Sequence, residues 1–297
     1  MTKVLVTGGS GFFGQGIMSA FADSGHDVFG TTTSPTGPLI ACNIVDYDAV
    51  RKVIDEVDPD IIIHSAALSS VTSGLPIDYY LVNVVGTENL LRAASGRRRR
   101  VVLVSTAGVY GNQAREVLTE DLPPAPVHHY GISKFACERL AAMHGGMLDI
   151  TIVRPFNIIG VGQHKNFIVP KLMDAFISRS SSVRLGNIKV YRDYIDLHTA
   201  SRMLVNITDQ SSTIGTTLNL CAARATSLED LLDVMGQLAG YQIEVIVDPA
   251  LVRPSEVWRL TGSNSRLIEH DCWIEPSSLN TVLENMMTEY RFQGAPA

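Results

Sequence analysis

Two side chains that together can perform acid–base chemistry stand four residues apart, Tyr130 and Lys134. The apolar periodicity of residues 130–144 predicts a helix, which would place both side chains on one face. A phenol ordinarily titrates at about pH 10. Because a neighbouring ammonium group favours the phenolate, the pair predicts a tyrosine that exchanges a proton near neutral pH.

A second source of chemistry lies upstream, where the apolar segment at residues 101–104 ends in Ser105 and Thr106. A buried strand would carry these hydroxyl groups to its carboxyl end. A hydroxyl placed there can donate a hydrogen bond to a substrate oxygen as charge shifts onto it. We therefore predict that one of these two hydroxyl groups forms a catalytic set with Tyr130 and Lys134.

A glycine-rich stretch follows the first apolar segment and opens the first amphipathic one. Glycines at positions 8, 11 and 14 would permit a tight turn, a close approach to a pyrophosphate and close packing of helix on strand. The N–H groups at the start of the helix then face the phosphates. This pattern predicts a dinucleotide site that includes Gly8, Gly11, Phe12, Phe13 and Gly14.

The end of the second predicted strand bears on the choice of cofactor. Residues 30–34 contain hydroxyl groups but no carboxylate and no arginine. Thr31 and Thr32 can bind either a ribose or its 2′-phosphate, so both NAD and NADP are expected, with NADP preferred because no carboxylate repels a 2′-phosphate. Asn43 and Ile44 follow the third short strand, where they can reach adenine; the alternative that Asn43 only occupies a turn stays open.

The elements that must position these residues alternate regularly through the first half of the chain. Strands are predicted at residues 3–7, 27–30, 61–64, 101–105 and 150–154. Helices are predicted at residues 14–24, 49–56, 79–94 and 130–144. Such alternation predicts an α/β fold with a Rossmann-type, doubly wound parallel sheet.

The pattern changes near residue 160, where the elements become shorter and less regular. We expect residues 1–160 to form the dinucleotide-binding domain. Residues 161–297 are expected to form mainly a smaller C-terminal lobe that binds the substrate, with a segment near 190–205 returning to the sheet.

Composition excludes several classes of function. The chain has 297 residues and a net charge of −6, which argues against nucleic acid as a partner. The basic run at residues 97–100 is interpreted as a solvated helix end or turn. No apolar stretch is long enough for a membrane span or a signal segment, so a cytoplasmic protein is expected. No metal site is predicted, because the cysteines are scattered without metal-ligand spacing: Cys42, Cys137, Cys221 and Cys272.

The combination of motifs resembles the extended short-chain dehydrogenases/reductases of the nucleotide-sugar epimerase/dehydratase/reductase type. The matching features are the loop at residues 7–14, Ser-Thr-x-x-Val-Tyr-Gly at 105–111, Tyr-x-x-x-Lys, Asn83 in the stretch 83–91, and Arg-Pro-Phe-Asn at 154–157. The resemblance implies an oxidoreductase in which Thr106, four residues before Tyr110, supplies the catalytic hydroxyl, with Ser105 as the alternative. Lys134 would also hold the nicotinamide ribose. The resemblance adds further residues to the cofactor site: Ala66, Ala67, Asn83 and Pro155.

Within this family the chain is most similar to GDP-4-keto-6-deoxymannose reductases. The likeness lies in residues 154–163, 166–170, 192–196, 253–257 and 262–265. It implies that the substrate site comprises Asn157, Val169, Arg192, Arg253 and Glu256. Asn157 would touch the sugar diphosphate, the arginines would take its charge, and Glu256 would hold the nucleotide ribose hydroxyls, all of which suit these side chains chemically.

One difference from the family pattern argues against a dehydration reaction. Family members that dehydrate the sugar carry an acidic residue directly after the catalytic hydroxyl, where this chain has Ala107. The expected function is therefore NAD(P)H-dependent reduction of a nucleotide-diphosphate 4-keto-6-deoxyhexose, with a GDP-sugar favoured. A 4-epimerase with tightly bound NAD is the main alternative, and a non-catalytic dinucleotide-sensing protein is another. A homodimer with a four-helix interface is expected from the helices at residues 79–94 and 130–144.

Overall fold

The computed structural model describes residues 1–34, 37–69, 75–252 and 256–294. Its strands are β1 (Lys3–Thr7), β2 (Asp27–Thr32), β3 (Ile40–Ala41), β4 (Ile61–His64), β5 (Arg100–Val104), β6 (Asp149–Pro155), β7 (Asn157–Ile159), β8 (Ser182–Leu185), β9 (Tyr191–Arg192), β10 (Tyr194–Asp196), β11 (Thr217–Leu220), β12 (Thr226–Ser227), β13 (Glu244–Val247) and β14 (Arg259–Leu260). Its α-helices are α1 (Phe12–Asp23), α2 (Tyr47–Val57), α3 (Pro76–Tyr79), α4 (Gly86–Ala94), α5 (His129–His144), α6 (Ile168–Ile177), α7 (Leu197–Asp209), α8 (Leu228–Ala239), α9 (Ser265–Glu269) and α10 (Leu279–Gly294). A π-helical turn, Tyr80–Val85, joins α3 to α4. Within the described ranges, no helix is both long enough and apolar enough to cross a membrane.

Seven strands form one parallel sheet in the order β11-β6-β5-β4-β1-β2-β3. In the centre, Val4 of β1 pairs with Val28 of β2 on one side and with Ile61 of β4 on the other. The direction of winding reverses between β1 and β4, and ligands of such sheets bind beyond the carboxyl ends of the strands at that point. The predicted Rossmann-type fold is confirmed.

Both faces of the sheet are covered, which explains why its strands are continuously apolar. Val4 and Val6 face a cluster that includes Phe21 of α1. The intervening Leu5 faces the opposite cluster, which includes Leu91 of α4. Side chains of a strand alternate between its two faces, so an unbroken apolar run fills two cores at once.

The C-terminal lobe has an apolar cluster of its own, formed largely by α6, α8 and α10. The segment near residues 190–205 forms β9, β10 and the first part of α7. It returns to the sheet as a helix, because α7 buries Ala200, Met203, Leu204 and Ile207 at helical spacing and packs against α1. The strand that rejoins the sheet is β11, which pairs with β6.

The basic run at residues 97–100 is only partly solvated. Arg97 and Arg98 are exposed and form ion pairs with aspartates. Arg99 is buried and donates to the carbonyl oxygen of Ala94 at the end of α4. Arg100 donates to carbonyl oxygens at the end of α7. These guanidinium groups therefore hold helix ends to the sheet, where carbonyl groups lack helical partners.

Candidate active site

A cavity of about 560 Å³ lies where several strands of the sheet end. Its lining includes Gly8 after β1, Ala66 after β4 and Thr106 after β5. Tyr130 and Lys134 of α5 line the same cavity. The structure thus brings the predicted glycine loop and the predicted catalytic set to one place.

The glycine loop is shaped to leave room for a ligand at the start of α1. Gly8 has a φ of +73°, which favours glycine, and a Cβ on Gly14 would lie 2.1 Å from the carbonyl oxygen of Gly8. The helix begins at Gly11 without a side-chain cap and without an acidic residue in its first turn. Phe12 and Phe13 flank the opening. These features fit the pyrophosphate of a dinucleotide, which accepts hydrogen bonds from such free N–H groups.

The end of β2 presents hydroxyl groups to the cavity. Thr31 and Thr32 are buried and line it. The Thr32 hydroxyl lies 3.0 Å from the hydroxyl of Ser10 in the glycine loop, and it accepts the N–H of Ser34 at 3.2 Å. The predicted ribose-binding position is therefore a connected group of hydroxyls.

Asn43 and Ile44 occupy different environments. Ile44 is buried and lines the cavity. Asn43 is exposed, and its side-chain oxygen accepts the N–H of Val45 at 3.2 Å. Asn43 thus caps the turn after β3, and a contact with adenine stays a prediction.

Asn83, which was expected to bind the cofactor, forms hydrogen bonds that hold part of the cavity wall in place. It is buried in the π-helical turn, and its amide accepts the N–H of Leu68 at 2.8 Å and donates to the Ser133 hydroxyl at 2.9 Å. Asn83 is not among the residues that line the cavity. It holds the loop after β4, whose Ala66 and Ala67 do line it.

Thr106 and Tyr130 are close enough to interact. The Thr106 hydroxyl accepts the N–H of Gly108 at 3.0 Å, which fixes the turn after β5. Tyr130 is half-buried, and burial raises its pKa to about 12, while a hydrogen bond with Thr106 acts in the opposite direction. Tyr130 is therefore a protonated donor at neutral pH.

Lys134 is only 1% exposed. Burial lowers the pKa of this ammonium group, and the charges of Cys137 and Glu138 act to raise it. The sequence predicted that Lys134 would bring the pKa of Tyr130 towards neutrality. Among the protein's own groups this does not happen, because burial of the phenol raises its pKa and outweighs the hydrogen bond with Thr106 that lowers it.

Charges in the cavity are few. Among the described residues that line it, Lys134 is the charged one, and none is an Asp or a Glu. No group of three or more His, Cys, Asp or Glu side chains that could hold a metal ion occurs in the described ranges. An anionic ligand would therefore meet one cation and no carboxylate at the cavity wall.

The substrate residues implied by the resemblance are distributed unevenly. Asn157 lines the cavity, next to Pro155 of the expected cofactor site, and donates to the carbonyl oxygen of Asp193 at 3.3 Å. Val169 is buried in the core of the C-terminal lobe and does not line the cavity. Arg253 lies outside the described residues.

Arg192 and Glu256 contact each other. Arg192 Nη2 lies 2.8 Å from Glu256 Oε1, and the two side chains are 16% and 13% exposed. They belong to segments 64 residues apart in the sequence. A cation and a carboxylate expected to bind different parts of a substrate are thus paired with each other.

Sequence reasoning missed part of the cavity wall and the charges behind it. Gln163 and Phe167 line the cavity, and both stand in motifs that the resemblance used without assigning them a role. Glu138 and Arg154 form a buried ion pair next to the cavity. The available signal was the position of Glu138, one helical turn after Lys134.

Comparisons with known proteins agree with this arrangement. Residues 4–221 match the profile of the NAD dependent epimerase/dehydratase family. The GDP-6-deoxy-D-talose 4-dehydrogenase of Aggregatibacter actinomycetemcomitans is 34% identical over 270 residues, which cover 90% of each chain. The GDP-6-deoxy-D-mannose reductase of Pseudomonas aeruginosa is 26% identical over 302 residues, which cover 97% of each.

A solved structure shows the same fold. The structure of the Thermus thermophilus UDP-glucose 4-epimerase, in complex with NAD, superposes with a TM-score of 0.87 at 24% sequence identity. The match covers 99% of this chain and 100% of that one.

Proposed function

The chain belongs to the NAD dependent epimerase/dehydratase family, and we propose that it reduces the C4 carbonyl of a nucleotide-diphosphate 4-keto-6-deoxyhexose with NADPH or NADH. Enzymes of this type modify nucleotide sugars and bind NAD(P). The observation that carries the proposal is the single cavity in which the glycine loop, Thr106, Tyr130 and Lys134 meet. Two similar proteins are named for oxidoreduction of GDP-6-deoxyhexoses, which favours a GDP-sugar.

The residues of the cavity have distinct roles in this proposal. The reduced nicotinamide, when bound, supplies a hydride for the carbonyl carbon. Tyr130 gives its hydroxyl proton to the carbonyl oxygen, and Thr106 donates a hydrogen bond to the same oxygen. Lys134 holds the nicotinamide ribose and stabilises the phenolate left on Tyr130, which regains its proton from solvent. The products are an alcohol and the oxidised cofactor.

The Arg192–Glu256 pair would serve the nucleotide. In the proposal the substrate diphosphate attracts Arg192, because a guanidinium group binds phosphate oxygens in a fork-like geometry. Glu256 is then released to accept hydrogen bonds from the two ribose hydroxyls. The contact at 2.8 Å supplies each of these enclosed side chains with a charged partner, which the substrate would replace.

We expect both cofactors to work, with NADPH preferred. Thr31 and Thr32 present hydroxyl groups, and the described lining contains no carboxylate that would repel a 2′-phosphate. Steady-state kinetics with NADPH and NADH measure the preference directly. A preference for NADH above about 100-fold, or about 2.7 kcal/mol, would contradict this part of the proposal.

The substrate class is tested with a panel of nucleotide sugars. The protein is mixed with NADPH and one 4-keto-6-deoxyhexose at a time, linked to GDP, UDP, dTDP or CDP, and the nicotinamide absorbance is followed. We expect the absorbance to fall fastest with the GDP-sugar. No fall with any member of the panel would contradict the proposed reduction.

A 4-epimerase is the second candidate. The same Thr-Tyr-Lys set can oxidise and re-reduce one sugar carbon, and a protein named UDP-glucose 4-epimerase shares the fold over the whole chain. An epimerase keeps its cofactor bound and needs none added. This difference separates the two candidates experimentally.

We also propose a homodimer. Ile77, Leu81 and Val85 stand at four-residue spacing in the helical segment that runs from α3 to α4, and they are 55%, 44% and 40% exposed. Ile132 and Met143 are exposed on α5, which packs against this segment. Two neighbouring helices with exposed apolar side chains suit a second copy of the same pair, which would form a four-helix interface.

A further inference from the structure

A buried ion pair lies directly behind the catalytic residues. Arg154 donates through Nε and Nη2 to the two carboxylate oxygens of Glu138, at 3.0 and 2.8 Å. Both side chains are 5% exposed. The Ser105 hydroxyl donates to Oε1 of the same carboxylate at 2.5 Å. Glu138 is thus held by three hydrogen bonds away from water.

Such a pair is not explained by stability alone. Removing two charges from water is costly, and well-packed apolar residues of similar volume often stabilise a fold equally well. One guanidinium nitrogen, Arg154 Nη1, is buried without a hydrogen-bond partner in the part of the chain that the structure describes, and the guanidinium carbon lies 4.8 Å from the centre of the Tyr110 ring. The guanidinium group is therefore held between Glu138 and an aromatic ring, which gives the pair a fixed position.

The members of the pair are attached to the elements that carry the chemistry. Glu138 lies on α5, one turn after Lys134. Arg154 lies near the end of β6, directly before Pro155 of the cavity wall, and Ser105 directly precedes Thr106. The hydrogen bonds consequently fix the Lys134 turn of α5 against the ends of two strands.

The titratable groups near Lys134 come from its own helix and from β4. Cys137 and Glu138 face it from its own helix, and burial of Lys134 opposes its positive charge. His64 faces it from β4, and burial followed by the charge of Lys134 lowers the pKa of His64 to about 3, so His64 is neutral. Tyr130, on the same helix, is protonated at neutral pH. Glu138 is therefore the carboxylate whose negative charge favours the buried ammonium group, and it shares that charge with Arg154.

We propose that Glu138 is a positioning residue: held by Arg154, it fixes the turn of α5 that carries Lys134 and places a carboxylate one helical turn from Lys134. The inference rests on the proposed contact between Lys134 and the nicotinamide ribose. It does not depend on which sugar is the substrate, so its test uses the cofactor alone.

The test replaces the pair while preserving its volume. In Glu138→Gln the shape of the side chain and the charge of Arg154 are kept, and in Glu138→Leu/Arg154→Met both charges of the pair are removed. NADPH affinity is measured by fluorescence titration between neutral and alkaline pH. In Glu138→Gln we expect affinity to fall at a lower pH than in the unaltered protein, because without the carboxylate Lys134 loses its proton more readily. At alkaline pH the loss should reach roughly tenfold, the scale of one charge-assisted hydrogen bond. The double variant should bind NADPH less tightly at neutral pH as well, because the hydrogen bonds that hold the turn of α5 are lost.

A matched control is Asp58→Asn, which breaks an ion pair with the buried Arg99 at the opposite end of the sheet. It should lower thermal stability and leave the pH dependence of NADPH binding unchanged. If Glu138→Gln folds and binds NADPH with the pH dependence of the unaltered protein, the proposal is wrong. If neither Glu138 variant folds while the control does, the pair is required by the fold itself, and the positioning role is likewise overturned.

Discussion

Tyr130 is fixed by contacts with two neighbouring aromatic rings. The ring of His128 stacks with it at 6.2 Å, and the ring of Tyr79 lies at 6.4 Å. His128 is itself held, because its Nδ1 accepts the N–H of Gly131 at 2.9 Å and so caps α5. The phenol therefore reaches the cavity from the rigid first turn of a helix, which favours a defined geometry for proton transfer.

Replacing Tyr130 by Phe removes the proposed acid and preserves the ring contacts. Turnover should fall by at least roughly 100-fold, the usual scale for loss of a positioned general acid, while thermal stability changes little. Tyr80→Phe is a suitable control, since that hydroxyl contacts His129 and does not line the cavity. Near-normal turnover in Tyr130→Phe would exclude Tyr130 as the acid.

For single residues, the sequence predicted which side chains come together, but it did not predict their pKa values or their ion-pair partners. Tyr130 and Lys134 could be paired because their spacing on a helix fixes their relation. The raised pKa of Tyr130 depends on how densely other segments surround the phenol. The contact between Arg192 and Glu256 likewise depends on how distant segments pack, which local spacing cannot show.

The packing of α1 on β1 determines whether the cofactor site exists. In Gly14→Ala the new methyl group would meet the Gly8 carbonyl oxygen at 2.1 Å, so the loop or the helix must move. We expect NADPH affinity to fall by more than roughly tenfold, since displaced N–H groups no longer meet the pyrophosphate. Fluorescence titration measures this loss.

Gly96→Ala provides the control for that substitution, because a Cβ there meets nothing within 4 Å. It should bind NADPH as the unaltered protein does. Equal affinity in both variants would mean that the loop does not hold the pyrophosphate.

Element positions followed the sequence closely where periodicity was regular. The strands predicted at residues 3–7 and 61–64 have those bounds in the structure. The π-helical turn at Tyr80–Val85 was not predicted, since its apolar pattern differs little from that of an α-helix. The secondary structure near residues 190–205 was harder to predict, because β9 and β10 are too short to show a period of two.

For the molecule as a whole, the proposed dimer makes a definite prediction. Leu81→Glu places a charge in the centre of the exposed apolar stripe and should convert a dimer into a monomer at micromolar concentration, because burying an unpaired carboxylate is unfavourable. Light scattering measures the mass. Ile268→Glu, at an exposed isoleucine of α9, should leave the mass unchanged. A monomeric unaltered protein would end the dimer proposal.

The proposed reaction is the reduction of a nucleotide-linked ketosugar by a cofactor that exchanges at each turnover. Following the transferred hydrogen tests it directly. The purified protein is first assayed for bound dinucleotide and then given the GDP-linked 4-keto-6-deoxyhexose with NADPH that carries deuterium at the transferred position. For a reductase we expect little bound dinucleotide, one oxidised cofactor per product molecule, and one deuterium at C4 of the sugar. Interconversion of two nucleotide hexoses without added cofactor, with no deuterium in either sugar, would contradict the proposed reduction and identify an epimerase.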